Sequence, residues 1–90
     1  MNYEWDEAKA RSNLAKHGIG FDEAKTVFED PLYVDFYDPE HSAEESRYII
    51  IGRSRQERLI IVSYAERGDA IRLISARELT PAERKAYEEN

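Results

Sequence analysis

Arginine is the residue with which this chain could do chemistry. Between Ser46 and Arg77 stand seven Arg (Arg47, Arg53, Arg55, Arg58, Arg67, Arg72 and Arg77) and no Lys, against three acids, Glu57, Glu66 and Asp69, a local balance of +4. The planar guanidinium fork suits phosphate recognition. The competing reading is a sheet surface whose Arg residues pair with nearby acids. Arg72 sits between Ile71 and Leu73, and Arg77 closes the same apolar run after Ile74-Ser75-Ala76. An Arg on such a strand must be paired, reach water or face a ligand, because a lone buried charge is too costly. Their odd spacing puts Arg72 and Arg77 on opposite faces of a regular strand, with Ser75 on the Arg77 face. A single Arg patch from this strand requires a twist or a bulge.

Two places offer groups that could move protons. Lys16-His17 precedes Gly18. Both cations would favour the negative pole of a helix by about 0.3–1 kcal/mol, and His17 could also transfer protons near neutral pH. Glu44-Glu45-Ser46-Arg47 sets a carboxylate pair before a strand Arg. It reads either as a salt bridge where the strand starts or as a base beside a cation. His41 lies far from His17 in sequence, and the two do not suggest a shared metal. A Gly-rich phosphate loop with Lys, a paired-His metal motif and a nucleophile elbow are all missing. Without Cys there is no disulfide, thiolate zinc site or cysteine nucleophile. No metal and no cofactor is expected.

These residues must be positioned by a small scaffold. Ninety residues suggest one domain over 1–90, and 41% apolar content can build its core. The net charge of −6 argues against coating nucleic acid by bulk charge. That average hides an acidic remainder of six basic and 16 acidic residues, at −10. No apolar run approaches the ~20 residues that span a bilayer, and no signal peptide is visible, so a cytoplasmic protein is expected.

Asp6 is a natural N-cap for a first helix that stops at Gly18. On it, Ala10, Leu14 and His17 share one face, and Lys9, Asn13 and Lys16 another. Asp22 is expected to cap a second helix, with Phe21, Ala24, Val27 and Phe28 turned to the core and Asp30-Pro31 ending it. Tyr3-Glu4-Trp5 is expected as a short first strand, with Trp5 in the core. Leu32 to Tyr37 reads as a strand, followed by a polar loop at Asp38 to Ser42. Arg47–Arg53, Arg58–Glu66 and Ala70–Arg77 read as three strands joined by short turns, which allow only antiparallel neighbours. Their interiors are apolar on both faces, so both faces should be partly covered. Thr80-Pro81-Ala82-Glu83 is a capping box that opens a last helix. Tyr87 on it reads as half-buried packing.

Together these residues resemble the BrnT toxins of bacterial type II toxin–antitoxin systems. The matching residues are Trp5-Asp6, Lys9, Asn13, Lys16-His17-Gly18, Phe21, Ala24, Phe28 and Asp30, then Glu45, Arg47, Gly52, Val62 and Tyr64. The strongest block is Ile71-Arg72-Leu73-Ile74-Ser75-Ala76-Arg77, followed by Glu83 and Tyr87. The family pattern has Glu-Glu-Arg where this chain has Glu-Glu-Ser-Arg.

The resemblance implies an α+β, RelE-like fold: an antiparallel sheet of about four strands, formed by a short N-terminal strand and a meander, with two N-terminal helices and one C-terminal helix. It implies a metal-independent ribonuclease that inhibits translation, neutralised by a BrnA-like antitoxin with a ribbon-helix-helix domain. Operator DNA would be met only through that antitoxin, and no membrane is involved. Metal-free RNA cleavage uses the 2′-OH as nucleophile, with cations on the phosphorane and a group that moves protons. Arg72 and Arg77 are then the candidate phosphate clamps, assisted by Arg47 and Lys16. His17 and Glu45 are the proton-transfer candidates, and Arg53, Arg67, Ser75 and Tyr87 the RNA contacts. Strict alternation would leave one of Arg72 and Arg77 to support the fold or bind antitoxin. The alternative is a non-catalytic interaction module whose Arg residues form structural or partner salt bridges.

Overall fold

The computed structural model describes residues 1–89. In chain order it runs β1 (Asn2–Glu4), α1 (Glu7–His17), α2 (Phe21–Ala24), a 3-10 segment (Lys25–Glu29), β2 (Val34–Tyr37), a short 3-10 turn (Pro39–His41), β3 (Arg47–Arg53), β4 (Leu59–Arg67), β5 (Ala70–Glu78) and α3 (Pro81–Glu88). The class is α+β, as expected. The sheet is larger than the expected four strands: five strands lie in the order β1-β5-β4-β3-β2. It is also mixed rather than antiparallel, because β1 runs parallel to β5 while the other three pairings are antiparallel. The long path from β1 back to β5 permits a parallel neighbour, which a tight turn cannot.

Local chemistry sets most helix ends. Asp6 accepts a hydrogen bond from Lys9 N at 3.1 Å, and Gly18 closes α1 at φ 70°. Thr80 and Glu83 bond each other's backbone N–H groups, the expected capping box. Asp22 does not cap the second helix. Gly20 takes the N-cap position without a side-chain bond, and one helical turn passes into the 3-10 segment. Asp30 ends that segment by bonding outward: Oδ1 accepts from Leu32 N at 2.9 Å and Oδ2 from Arg53 N at 2.7 Å.

The core lies between the sheet and α1, α2 and the 3-10 segment. Ile19, Phe21, Ala24 and Val27 pack on Ile50, Ile60, Val62, Leu73 and Ala76. Trp5 is half-buried at its edge, against Phe21. The helix α1 turns Ala10 and Asn13 inward, one from each of the two faces drawn from sequence, and leaves Leu14 54% exposed. The reason is the edge of β5. Beyond the short β1, Ala76 has no strand neighbour on that side, and buried backbone groups need partners. Asn13 supplies them, donating to Ala76 O at 2.8 Å and Ile19 O at 2.9 Å and accepting from Ala76 N at 3.0 Å.

Gly52 lets the 3-10 segment approach β3. A Cβ there would lie 3.0 Å from Asp30 Oδ2, 3.1 Å from Val27 Cγ1 and 3.3 Å from Tyr33 Cβ. Asp30 is held by its bond to Arg53 N and cannot give way freely. Gly52→Ala should therefore cost about 1–3 kcal/mol of stability, read as a lower urea midpoint with an unchanged slope.

Candidate phosphate-binding groove on the open sheet face

The sheet face opposite α1 carries the candidate site, and an irregularity in β5 shapes it. Ser63 pairs with Ser75 but Tyr64 pairs with Leu73, so β5 carries one extra residue, Ile74. Leu73 and Ala76 both point into the core, at a spacing of three rather than two. The bulge resets the alternation, and Arg72 and Arg77 fall on the same, open face. The strict alternation expected from sequence is thereby overturned. Register places Arg47, Ala65 and Arg72 in one row across β3, β4 and β5.

A groove of about 280 Å³ crosses this face, floored by Ile49, Ile61 and Ile74 and walled by Arg47, Ser63, Ser75, Arg77 and the Asp38–His41 pair. An adjoining groove shares His41 and Arg47 and adds Glu44, Glu45 and Arg67. The loop from Asp38 to Ser46 folds over the start of β3 because Asp38 N donates to Arg47 O at 2.9 Å and Ser42 Oγ accepts from Arg47 N at 2.9 Å. That loop brings His41 to the groove. Its Nδ1 lies 2.8 Å from Asp38 Oδ2, so the carboxylate orients the ring and leaves Nε2 for a substrate. Nothing in the local sequence marked His41 as a site residue; only loop closure reveals it.

Arg47 sits between the two grooves. Its Nη2 is 3.4 Å from Glu45 Oε2, while its buried Nε has no hydrogen-bond partner among the described residues. Arg67 is exposed in the adjoining groove and forms no ion pair among the described residues. Arg72 reaches Glu4 at 3.9 Å. Arg77 is forked onto Glu83 of α3, at 2.7 and 3.0 Å, and Nη1 also donates to Glu78 O, so both terminal nitrogens are engaged.

The structure thus brings Glu45, Arg47, Arg67, Ser75 and Arg77 together, while Arg72, in the same cross-strand row as Arg47, lines neither groove. It does not bring Lys16 and His17, which are exposed at the end of α1 and line neither groove. Arg53 lies at the other end of β3, donating to Glu57 O at 3.2 Å. Tyr87 lines a separate apolar groove between α3 and β2 and donates to Leu32 O at 3.2 Å, the half-buried packing role.

The Arg77–Glu83 fork has a pH signature. Arg77 and the Thr80 N–H hold the Glu83 carboxyl down to about 2 from an ordinary 4.5. A group depressed in the folded state stabilises above its unfolded value and loses that stabilisation as pH falls through the folded value. The melting temperature of wild type should drop more steeply between about pH 4.5 and pH 2 than that of Glu83→Gln.

Fold and groove define a small α+β domain that presents a cleft lined by Arg47 and Arg77 on one sheet face. Residues 5–83 match the family described as "Ribonuclease toxin, BrnT, of type II toxin-antitoxin system", and the chain belongs to that family. The chain is therefore a toxin of a type II toxin–antitoxin system, and such a toxin has an antitoxin partner. A similar solved structure is the Brucella abortus ribonuclease toxin BrnT, at 28% identity and a TM-score of 0.66, covering 89% of this chain and 97% of that one. No curated protein matches the sequence. Among the described residues no helix is long and apolar enough to cross a membrane.

Proposed function

We propose that this chain is a metal-independent endoribonuclease that inhibits translation, with its site in the groove of the open sheet face and a RelE-like use of that face. The observation that carries the reading is Arg47: a one-third exposed guanidinium, held through Nη2 alone, in a groove shared with a His–Asp pair. Arg47 binds the non-bridging oxygens of the scissile phosphate, and Arg67 and Ser75 hold the neighbouring RNA. The 2′-OH attacks phosphorus, its proton passing to Glu45 or to His41 Nε2. The P–O5′ bond breaks, and the leaving 5′ oxygen takes a proton from the other group. The products are a 2′,3′-cyclic phosphate and a 5′-OH. Arg77 and Arg72 supply positive field at the charged phosphorane, and Lys16, His17, Arg53 and Tyr87 take no part. A BrnA-like antitoxin with a ribbon-helix-helix domain covers the toxin and carries the pair to its operator.

Purified chain, freed of partner, should cleave single-stranded RNA in EDTA and leave cyclic-phosphate ends. Cleavage only with added metal would overturn metal independence, and full activity in an Arg72→Ala/Arg77→Ala double variant would remove the field role of both.

A second reading, the non-catalytic interaction module, is favoured by how many cations are paired: Arg58 with Glu23, Arg55 with Glu29 and Arg77 with Glu83. In that case expression is harmless and no RNA product forms.

A further inference from the structure

The opposite face of the sheet holds a second cleft that the proposed cleavage does not use. The helices and the 3-10 segment cover only part of that face. Beyond them a cleft of about 370 Å³ opens between Tyr3, Phe28, Tyr33 and Tyr64, with the carboxylates of Asp35 and Glu66 at its walls. Three of its rings, Tyr3, Phe28 and Tyr64, belong to a row that continues through Tyr48 to Tyr37 on β2. Ring centres are 5.4 Å apart for Tyr3–Phe28, 5.0 Å for Phe28–Tyr64, 5.5 Å for Tyr64–Tyr48 and 5.7 Å for Tyr48–Tyr37.

The two carboxylates are exposed, and neither forms an ion pair with a cation among the described residues. Tyr64 donates its hydroxyl to Asp35 Oδ2 at 3.1 Å. Burial and the Asp35 charge push the Tyr64 hydroxyl well above its ordinary value, so it stays a neutral donor. Aromatic faces flanked by unpaired carboxylates attract cations and repel phosphate. Nucleic acid would find the rings but meet like charge, so the chemistry favours a cationic side chain over a base.

The neighbouring edge points to a polypeptide as its bearer. Among the described residues, five of seven exposed large hydrophobics lie on or just before the free edge strand β2: Tyr33 and Tyr37 on the cleft side, and Leu32, Val34 and Phe36 over the groove beside α3. An apolar edge of this kind is a template for another chain.

We propose that this cleft takes an Arg or Lys side chain of the antitoxin, inserted between Tyr33 and Tyr64 against Asp35 and Glu66. The inference rests on the toxin family for the existence of that partner and on the cleft for its chemistry. The docking site is then on the face away from the RNA groove.

The test uses the isotope-labelled full chain. N-acetyl-arginine amide should give saturable amide shifts at Tyr48, Tyr64, Glu66 and Ile71, and its neutral citrulline counterpart should not. Asp35→Asn/Glu66→Gln should weaken both this binding and antitoxin affinity about tenfold, while leaving RNA cleavage unchanged. Shifts that are absent, equal for citrulline or insensitive to the double variant overturn the proposal. Unchanged antitoxin affinity overturns the occupant. An RNA oligonucleotide that shifts the same amides makes the cleft a nucleic-acid surface instead. None of the shift measurements depends on cleavage, so failure of the nuclease reading would not be mistaken for failure of this one.

Discussion

Arg47→Ala should lower single-turnover RNA cleavage by about 10²–10³-fold, the typical loss when one donor to a developing oxyanion is removed. The argument is geometric. Arg47 is the cation common to both grooves, and Glu45 engages it at 3.4 Å through Nη2 alone. Its Nε is buried, but the side chain stays 33% exposed and Nη1 forms no hydrogen bond among the described residues, so the terminal N–H groups are the donors open to a bound phosphate. Arg47→Lys keeps a charge but loses the fork, so an intermediate loss is expected. Stability distinguishes this role from a structural one. The Arg47–Glu45 pair is partly exposed, and such pairs contribute at most about 1 kcal/mol. The alanine variant should therefore melt close to wild type while cleavage collapses. A large fall in melting temperature with cleavage retained would make Arg47 a strut for the strand start and nothing more.

Glu23→Ala should produce the largest loss of stability, about 3 kcal/mol, because it removes a buried carboxylate that anchors Ser54 and Arg58 and leaves Arg58 with only a 3.8 Å contact to Glu78 as its ion pair. For a chain of this size that corresponds to a melting temperature lower by roughly 12–24 °C. Glu23 is buried in α2. Its Oε2 accepts from Ser54 Oγ at 2.7 Å and from Arg58 Nε at 2.9 Å, and its Oε1 pairs with Arg58 Nη2. Arg58 Nη2 also donates to Gly18 O at 3.1 Å. One carboxylate thus ties α2, the end of α1 and the β3–β4 turn together. Its pKa is lowered by the Arg58 bonds first and the Ser54 bond next, against a burial penalty. Replacing the pair by apolar side chains, Glu23→Leu with Arg58→Met, should recover most of the loss, because neither charge then remains unpaired. If the double variant is no more stable than Glu23→Ala, the cost lies in backbone contacts of α2 rather than in the pair.

Sequence alone determined the elements whose signals are local. The Asp6 cap, the Gly18 stop, the capping box at Thr80 and the β3, β4 and β5 runs all lie where propensity and periodicity put them, within a residue. Each depends on neighbours a few positions away, which a linear reading can see. The second helix departed from its pattern because its residues serve the tertiary contact of Glu23 with Arg58 and of Asp30 with Arg53 N. Asn13 went inward for the same kind of reason, a strand edge 63 positions away that needed hydrogen bonds.

The candidate site divides along the same line. That Arg would gather on one part of the chain, with Glu45 and Ser75 nearby, was legible from composition and spacing. Which Arg residues share a face was not, because one extra residue in β5 reverses the alternation from Ile74 onward. Nor was His41, which reaches the groove only because Ser42 and Asp38 close a loop onto the backbone of Arg47. Sequence set the kinds of charge this chain could bring to a phosphate. Tertiary structure decided which of them meet, since a bulge and a loop closure move side chains by whole faces of a sheet while leaving the local pattern unchanged.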